Sequence, residues 1–117
     1  MGVKMNWTEK KCKPCERGVH PMSLDEAQKA IIDLEGWKLE SNGKQISKSY
    51  VMKNFIAAVE FINRIAEVAE LEDHHPDIHL YGYRNLNIEL STHAIGGLSE
   101  NDFILGSKIE RLQREEK

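Results

Sequence analysis

The sequence feature that constrains the fold most is a long amphipathic segment that begins after residue 54. Between residues 54 and 70, apolar side chains recur every three or four positions and polar side chains share the opposite side, which is the period of an α-helix. Pro76 prevents the helix from continuing further. The helical face consists of Phe55, Ala58, Val59, Ile62, Ile65, Ala66 and Ala69, opposite Glu60, Asn63, Arg64, Glu67 and Glu70.

The apolar side of this helix is wider than one small sheet is expected to cover. Phe61 and Val68 extend it to roughly half of the helix circumference. Because an apolar surface of that width has to be buried somewhere, we expect a homodimer or homotetramer built partly on this helix. On this interpretation Phe61→Glu should weaken the assembly.

A helix and a hairpin are predicted before the long helix. Ser23 and Glu26 have the spacing of a capping box, and the helical pattern that follows them stops at Gly36. Asn42-Gly43 is a strong turn signal between the alternating residues that begin at Trp37 and the β-branched and aromatic residues 46–51.

A second hairpin and a last helix are predicted after it. Residues 78–81 and 86–90 have the pattern of two strands, and Ser99 can cap a final helix that has Asp102 at its third position. The order is therefore α-β-β-α-β-β-α. It indicates an α+β domain, with a four-stranded, mainly antiparallel sheet and three helices packed on one face.

Composition limits both the number of domains and the class of partner. The chain has 117 residues, enough for one domain, which we place at residues 23–117 after an irregular N-terminal arm at residues 1–22. A net charge of −3 argues against direct binding of nucleic acid. The sequence contains no apolar run long enough for a membrane span and no signal core, so we expect no membrane association and a cytoplasmic location.

The two cysteines, Cys12 and Cys15, lie in the arm and are too few for a disulfide framework. A redox pair normally opens a helix, and a structural zinc site needs four ligands. We therefore interpret both as plain thiols in a mobile arm, and we expect their replacement by serine to leave activity and melting temperature nearly unchanged.

The densest group of chemically active side chains follows the long helix and continues through the second hairpin. Histidine can donate and accept protons near neutral pH, so several histidines in one pocket suit paired acid and base chemistry. Pro76 favours an extended conformation at the residue before it, which would turn two adjacent rings outwards at a loop. The residues concerned are Glu70, His74, His75, Pro76, Tyr83, His93 and Asp102.

Other interpretations of these residues remain open at this point. Histidines at the end of a helix are favourable because an imidazolium complements the helix dipole. Histidines with carboxylates can also hold zinc or iron, although none of the usual metal-binding spacings is present. Trp37 and Tyr83 could stack on a flat heterocycle, although Trp37 also fits a core position.

The spacing of these residues resembles the motif of a known family. Three residues separate Glu70 from His74-His75-Pro76, six separate that triplet from Tyr83, and nine separate Tyr83 from His93, with Asp102 further on. This pattern is similar to that of the pterin-4a-carbinolamine dehydratases. The similarity extends over residues 23–112 and includes Gly36-Trp37, Phe55, Ser91-Thr92-His93 and Gly97-Leu98-Ser99, whereas Gly106 stands where many members have alanine.

The resemblance implies a lyase that dehydrates 4a-hydroxytetrahydropterins to quinonoid dihydropterins without a metal or other cofactor. Aromatic amino acid hydroxylases form these substrates, so the resemblance also implies functional coupling to such a hydroxylase in tetrahydropterin recycling. It implies His74 and His93 as acid and base, and His75 as the residue that holds the pterin. Asp102 would orient His93, Glu70 would lie behind the histidines, and the remaining substrate contacts would come from Pro76, Tyr83 and Trp37.

The resemblance leaves two other functions open. Some animal members of the family stabilise dimers of a transcription factor, so the chain could be a non-catalytic coactivator or binding module that acts through its oligomerisation helix. It could also be a divergent member that serves another pterin pathway.

Overall fold

The structure is a computed structural model that describes residue 7, residue 12 and residues 20–115, with side chains described as far as residue 113. Most of the predicted arm, including Cys15, lies outside these residues. The elements are α1 (Leu24–Ile31), β1 (Lys38–Leu39), β2 (Ile46–Val51), α2 (Phe55–Glu72), β3 (Asp77–Tyr81), β4 (Asn85–Leu90) and α3 (Glu100–Glu115). The predicted order of elements is confirmed.

The sheet has the strand order β1-β2-β4-β3, and every neighbouring pair is antiparallel. In the β3–β4 pair, Asp77 lies opposite Glu89 and Tyr81 lies opposite Asn85. The beginning of β3 and the end of β4 therefore meet at the same end of the sheet. That register positions the candidate site.

The helices pack on one face of the sheet, as the alternation along β4 requires. Leu86, Ile88 and Leu90 are fully buried, while Asn87 and Glu89 project to the opposite, open face. The helices contribute Phe61 and Ile65 from α2, and Phe103, Leu105 and Ile109 from α3, to the same core. The predicted α+β architecture is confirmed.

Local capping explains where the helices begin. Ser23 and Glu26 form both hydrogen bonds of the predicted capping box. Asn54 caps α2, because its side-chain oxygen accepts a 2.8 Å hydrogen bond from the backbone of Ala57.

None of the helices within the described residues combines the length and the apolar character that a membrane crossing requires.

The apolar arc of α2 differs from the prediction in one respect. Phe61 was assigned to a partner surface, but it is fully buried and makes an edge-to-face contact with Tyr50, with ring centroids 5.4 Å apart. Three of the large apolar side chains that remain exposed lie in the first turns: Phe55, Ile56 and Val59 are 52%, 68% and 37% exposed, while Leu71 in the last turn is 74% exposed. The sheet covers more of α2 than its predicted size suggested, so Phe61→Glu would test core packing and not assembly.

Candidate active site

The three predicted catalytic histidines lie at the sheet end where β3 begins and β4 ends. Asp73 caps α2 in a left-handed conformation with φ of 52°, and this turn directs His74 and His75 away from the helix axis. His93 follows β4 and is the first residue of a short 3-10 helix, His93–Ile95. The β3–β4 register therefore brings residues nearly twenty positions apart to one edge.

His74 forms the most buried contact of this group. Its Nε2 atom lies 2.7 Å from Oδ1 of Asp102, and the two side chains are 11% and 0% exposed. A buried carboxylate is costly unless its oxygens are hydrogen-bonded. The pair therefore depends on the other groups that reach Asp102.

Asp102 is held by donors from two further positions. Its Oδ2 atom accepts a 2.8 Å hydrogen bond from the Thr92 hydroxyl and a 3.0 Å hydrogen bond from the Ser99 backbone amide. Ser99 in turn accepts a 3.2 Å hydrogen bond from the backbone of Asn101, in the first turn of α3. Asp102 thus belongs to the cap of α3 and to the histidine pair at the same time.

This geometry corrects the expected role of Asp102. The carboxylate was predicted to orient His93, but it contacts His74, because the first turn of α3 packs beside the end of α2. His93 is 80% exposed, and its Nε2 atom lies 4.0 Å from Oδ2 of Asp77. That distance suits an ion pair with a protonated ring and is too long for a hydrogen bond.

His75 has a different environment from its neighbour. Its Nε2 atom is hydrogen-bonded to Oε2 of Glu70, and the two side chains are 57% and 75% exposed. Glu70 was predicted to lie behind the histidines, whereas it contacts His75 directly at the surface. The two adjacent histidines therefore differ strongly in burial, and each has its own carboxylate.

A cleft of about 400 Å³ adjoins His93. Its wall is formed by the turn between β1 and β2 and by the residues after β4, and it includes neither His74 nor His75. The lining residues are Glu40, Asn42, Lys44, Gln45, Ser91, His93, Gly96 and Gly97. This volume lies within the range of small-molecule sites.

The structure does not bring the two predicted aromatic contacts to the histidines. Trp37 is 5% exposed and lies in the core, so little of its ring is available for stacking. Tyr83 is exposed in the turn between β3 and β4, and the length of β3, roughly 13 Å, separates that turn from His75. Pro76 is half-buried between His75 and β3.

Sequence reasoning missed three residues that surround the histidines. Thr92 and Ser99 lie within the segments that carry the resemblance, but neither was given a role in the site, and Asp77 was not considered. The Ser99 to Asp102 spacing was recognised only as a helix cap. Asp77 could have been considered because it is a polar residue directly after His-His-Pro.

Cys12 also differs from its predicted environment. The arm was expected to be mobile, but the backbone amide of Cys12 donates a 2.8 Å hydrogen bond to Oε1 of Glu72, and its side chain is half-buried against the core.

Within the described part of the chain, no group of three or more histidine, cysteine, aspartate and glutamate side chains is arranged to hold a metal ion.

Comparison with known proteins assigns the family. The family model described as pterin 4 alpha carbinolamine dehydratase matches residues 20–112. The chain belongs to the pterin 4 alpha carbinolamine dehydratase family. All of the predicted catalytic and supporting residues lie within the matched segment, whereas Trp7 and Cys12 precede it.

Individual relatives extend this result. A protein of Nitrosomonas europaea, named provisionally as a pterin-4-alpha-carbinolamine dehydratase, is 49% identical over 106 residues, covering 90% of this chain and 91% of its own. Pterin-4-alpha-carbinolamine dehydratase 2, mitochondrial, of Arabidopsis thaliana is 44% identical over 110 residues, or 92% of this chain and 59% of its own length.

A solved structure has the same fold. The crystal structure of a transcriptional coactivator/pterin dehydratase from Brucella melitensis matches with a TM-score of 0.74 and 28% identity. The match covers 80% of this chain and 98% of that one. The sheet with helices on one face is thus a shared property of this chain and that protein.

Proposed function

We propose that the protein is a lyase that dehydrates 4a-hydroxytetrahydropterins to quinonoid dihydropterins. The observation that carries the proposal is the buried His74–Asp102 pair at the sheet end that also carries His93, within the segment matched by the family. Relatives named for this activity support the same substrate class.

The reaction needs two proton transfers and no change in overall oxidation state. The C4a–O bond breaks and its electron pair leaves with the hydroxyl, which one acid protonates to give water. The N5–H bond breaks as one base accepts the proton, and the N5–H electrons form the new bond between N5 and C4a. Two imidazoles can supply both functions near neutral pH.

His74 is suited to one of these transfers because of its contact with Asp102. When Nε2 carries the proton that is donated to the carboxylate, Nδ1 is the nitrogen that exchanges protons with substrate. A buried carboxylate beside the ring also stabilises the imidazolium that forms when His74 accepts a proton. Asp102 is therefore a positioning residue for His74.

His93 is suited to the second transfer because it is exposed and adjoins the cleft. An exposed ring can reach a bound substrate and can exchange its proton with water between turnovers. The Oδ2 atom of Asp77 lies 4.0 Å from the His93 Nε2 atom, beside the ring. His74 and His93 would exchange acid and base roles according to the face of the pterin that carries the hydroxyl.

The cleft next to His93 has the chemistry to hold the pterin. The pyrimidine ring of a pterin presents N–H donors and a carbonyl acceptor along one edge. Glu40 and Lys44 in the cleft wall offer the complementary acceptor and donor. His75, at the surface with Glu70, would hold and polarise the pterin from the other side.

The same proposal includes the metabolic role of the reaction. Aromatic amino acid hydroxylases release 4a-hydroxytetrahydropterins, so the protein would act after such an enzyme in tetrahydropterin recycling.

The exposed apolar group formed by Phe55, Ile56 and Val59 supports a homodimer or homotetramer built on α2, because apolar side chains clustered on one helix are favourably buried by a second copy.

A second candidate function uses that same apolar group. The Brucella melitensis protein is named a transcriptional coactivator as well as a pterin dehydratase. A coactivator module would bind its partner through α2 and would not need the histidines. Binding that persists in a variant without His74 and His93, together with no turnover by the native protein, would favour this function.

The direct test is turnover of 4a-hydroxytetrahydropterin generated by a hydroxylase in the assay. The native protein should accelerate dehydration, and a chelator should leave the rate unchanged. The variant that combines His74→Ala with His93→Ala should lose most of the acceleration. His79→Ala is the matched control, because this exposed histidine pairs with Glu89 on the open face of the sheet. Equal loss in the control, or no acceleration by the native protein, would contradict the proposal.

A further inference from the structure

The first turn of α3 is contacted by two residues that precede the family-matched segment. The Cys12 thiol donates a hydrogen bond to the carbonyl oxygen of Asn101, with a sulfur-to-oxygen distance of 3.6 Å. The ring of Trp7, which is 5% exposed, stacks on Phe103 with centroids 5.6 Å apart. Asn101 and Phe103 are the two chain neighbours of Asp102, so Cys12 and Trp7 contact the residues on either side of the one whose carboxylate anchors His74.

Cys12 also contacts the end of α2. Its amide donates to Oε1 of Glu72, and Oε2 of Glu72 accepts a 2.6 Å hydrogen bond from Nζ of Lys108 on α3. Glu72 is the last residue of α2 and lies two positions before His74. Cys12 therefore bridges the two segments that carry the two halves of the His74–Asp102 pair.

We propose that Cys12 and Trp7 are positioning residues of the dehydratase site, which hold the first turn of α3 against the end of α2 so that Asp102 stays in hydrogen-bonding contact with His74. The inference rests on the proposed function for its consequence on turnover. Its structural part stands on the contacts alone.

The chemistry of the thiol fits a structural donor and not a nucleophile. Burial, followed by the negative charge of Glu72, raises the pKa of Cys12 to about 12. The thiol is therefore protonated at neutral pH, where it can donate to the Asn101 carbonyl. A thiolate would lose that hydrogen bond and would be repelled by Glu72.

Small displacements of a catalytic pair have large effects on rate. A shift of about 1 Å in a reacting group can reduce turnover by about 100-fold. The 2.7 Å contact between His74 and Asp102 joins the segment after α2 to the first turn of α3, so it depends on how the two helices are held together. Cys12 and Trp7 add contacts there, in addition to the core packing between α2 and α3.

The test uses the full chain and compares Cys12→Ala, Cys12→Ser and Trp7→Phe with the native protein. The first measurement is the imidazole NMR spectrum of the free protein, which reports the proton on His74 Nε2 and its exchange with water. The second is the pH profile of kcat and KM with hydroxylase-generated substrate. Phe61→Leu is the control, because it weakens the core where α2 packs on Tyr50 of β2.

In Cys12→Ala and Trp7→Phe, the His74 Nε2 proton should exchange faster and kcat should fall by about 10-fold to 100-fold with little change in KM. Cys12→Ser, which keeps a donor, should recover part of both losses, and Phe61→Leu should change neither. If the His74 Nε2 proton exchanges at the native rate in Cys12→Ala and Trp7→Phe, the inference is overturned. An equal change in exchange rate and kcat in Phe61→Leu would also overturn it. Absence of turnover in the native protein would contradict the proposed function, and the exchange measurement would still decide the positioning role.

Discussion

His74 and His75 are adjacent in the chain and have opposite environments. The left-handed turn at Asp73 places one ring against the buried carboxylate of Asp102 and leaves the other at the surface with Glu70. A ring held against a buried carboxylate suits proton transfer, whereas the exposed ring of His75 suits substrate contact. Replacing His74 and replacing His75 should therefore change kcat and KM differently.

Asp102→Asn should reproduce the defect of His74→Ala, because the amide can stabilise neither the required tautomer nor the imidazolium. We expect kcat to fall by about 10² to 10⁴ in His74→Ala. Adding Asp102→Asn to His74→Ala should lower kcat little further. In a His93→Ala background, Asp102→Asn should reduce kcat further by nearly its full effect. Double-mutant kinetics measure this. Additive effects with His74→Ala would show that Asp102 acts elsewhere.

His75→Ala should raise KM as well as lower kcat, because loss of a substrate contact weakens binding of both the ground state and the transition state. Steady-state kinetics on one carbinolamine separate the two constants. A pure kcat loss at unchanged KM would instead assign His75 to proton transfer.

The identity of the site residues could be predicted from the sequence, but their pairing could not. The motif spacing identifies Glu70, the histidines and Asp102. Which histidine Asp102 meets depends on how the first turn of α3 packs against the end of α2, over a separation of 28 positions. Trp37 was ambiguous for a related reason: a tryptophan at the start of a hairpin can face either the core or a ligand.

At the scale of elements, a polar cluster within the described residues joins α3 to the sheet. Lys48 on β2 projects towards the helices, and its Nζ atom lies 2.5 Å from Oε1 of Glu110. The Tyr50 hydroxyl donates to the same carboxylate oxygen. The strand pattern predicted β2, but a lysine on its inner face could not be assigned without knowing that Glu110 lies opposite it.

Glu110→Ala should lower the free energy of unfolding by about 1 to 3 kcal/mol, because Lys48 and Tyr50 lose a charged acceptor in a buried position. Urea unfolding measures the change. Glu67→Ala, which removes an exposed carboxylate from α2, should change stability by less than about 0.5 kcal/mol. Equal effects in the two variants would show that the Glu110 cluster contributes nothing specific.

At the scale of the whole molecule, the exposed apolar group of Phe55, Ile56 and Val59 lies at the opposite end of α2 from the histidines, whereas Leu71, also exposed, lies in its last turn. Phe55, Ile56 and Val59 occupy the first turns, whereas the candidate site follows the last turn. Assembly through this group would leave the site open. The width of the apolar arc could be predicted from the sequence, but the sheet determines which part of that arc is already covered.

Ile56→Glu should shift the protein towards smaller species in sedimentation without loss of folding, because Ile56 is 68% exposed. Phe61→Glu should unfold the protein, because it places a charge in the core. Circular dichroism distinguishes the two outcomes. A native protein that is already monomeric at micromolar concentration would contradict assembly through α2.

The most direct test of the central claim is the dehydration rate of the two separated C4a stereoisomers by His74→Ala and His93→Ala. If the two rings serve opposite faces of the pterin as acid and base, each variant should retain more activity on a different isomer, and the double variant should be far slower on both. The same isomer preference in both variants, or full activity in the double variant, would contradict the assignment of His74 and His93 as the acid and base.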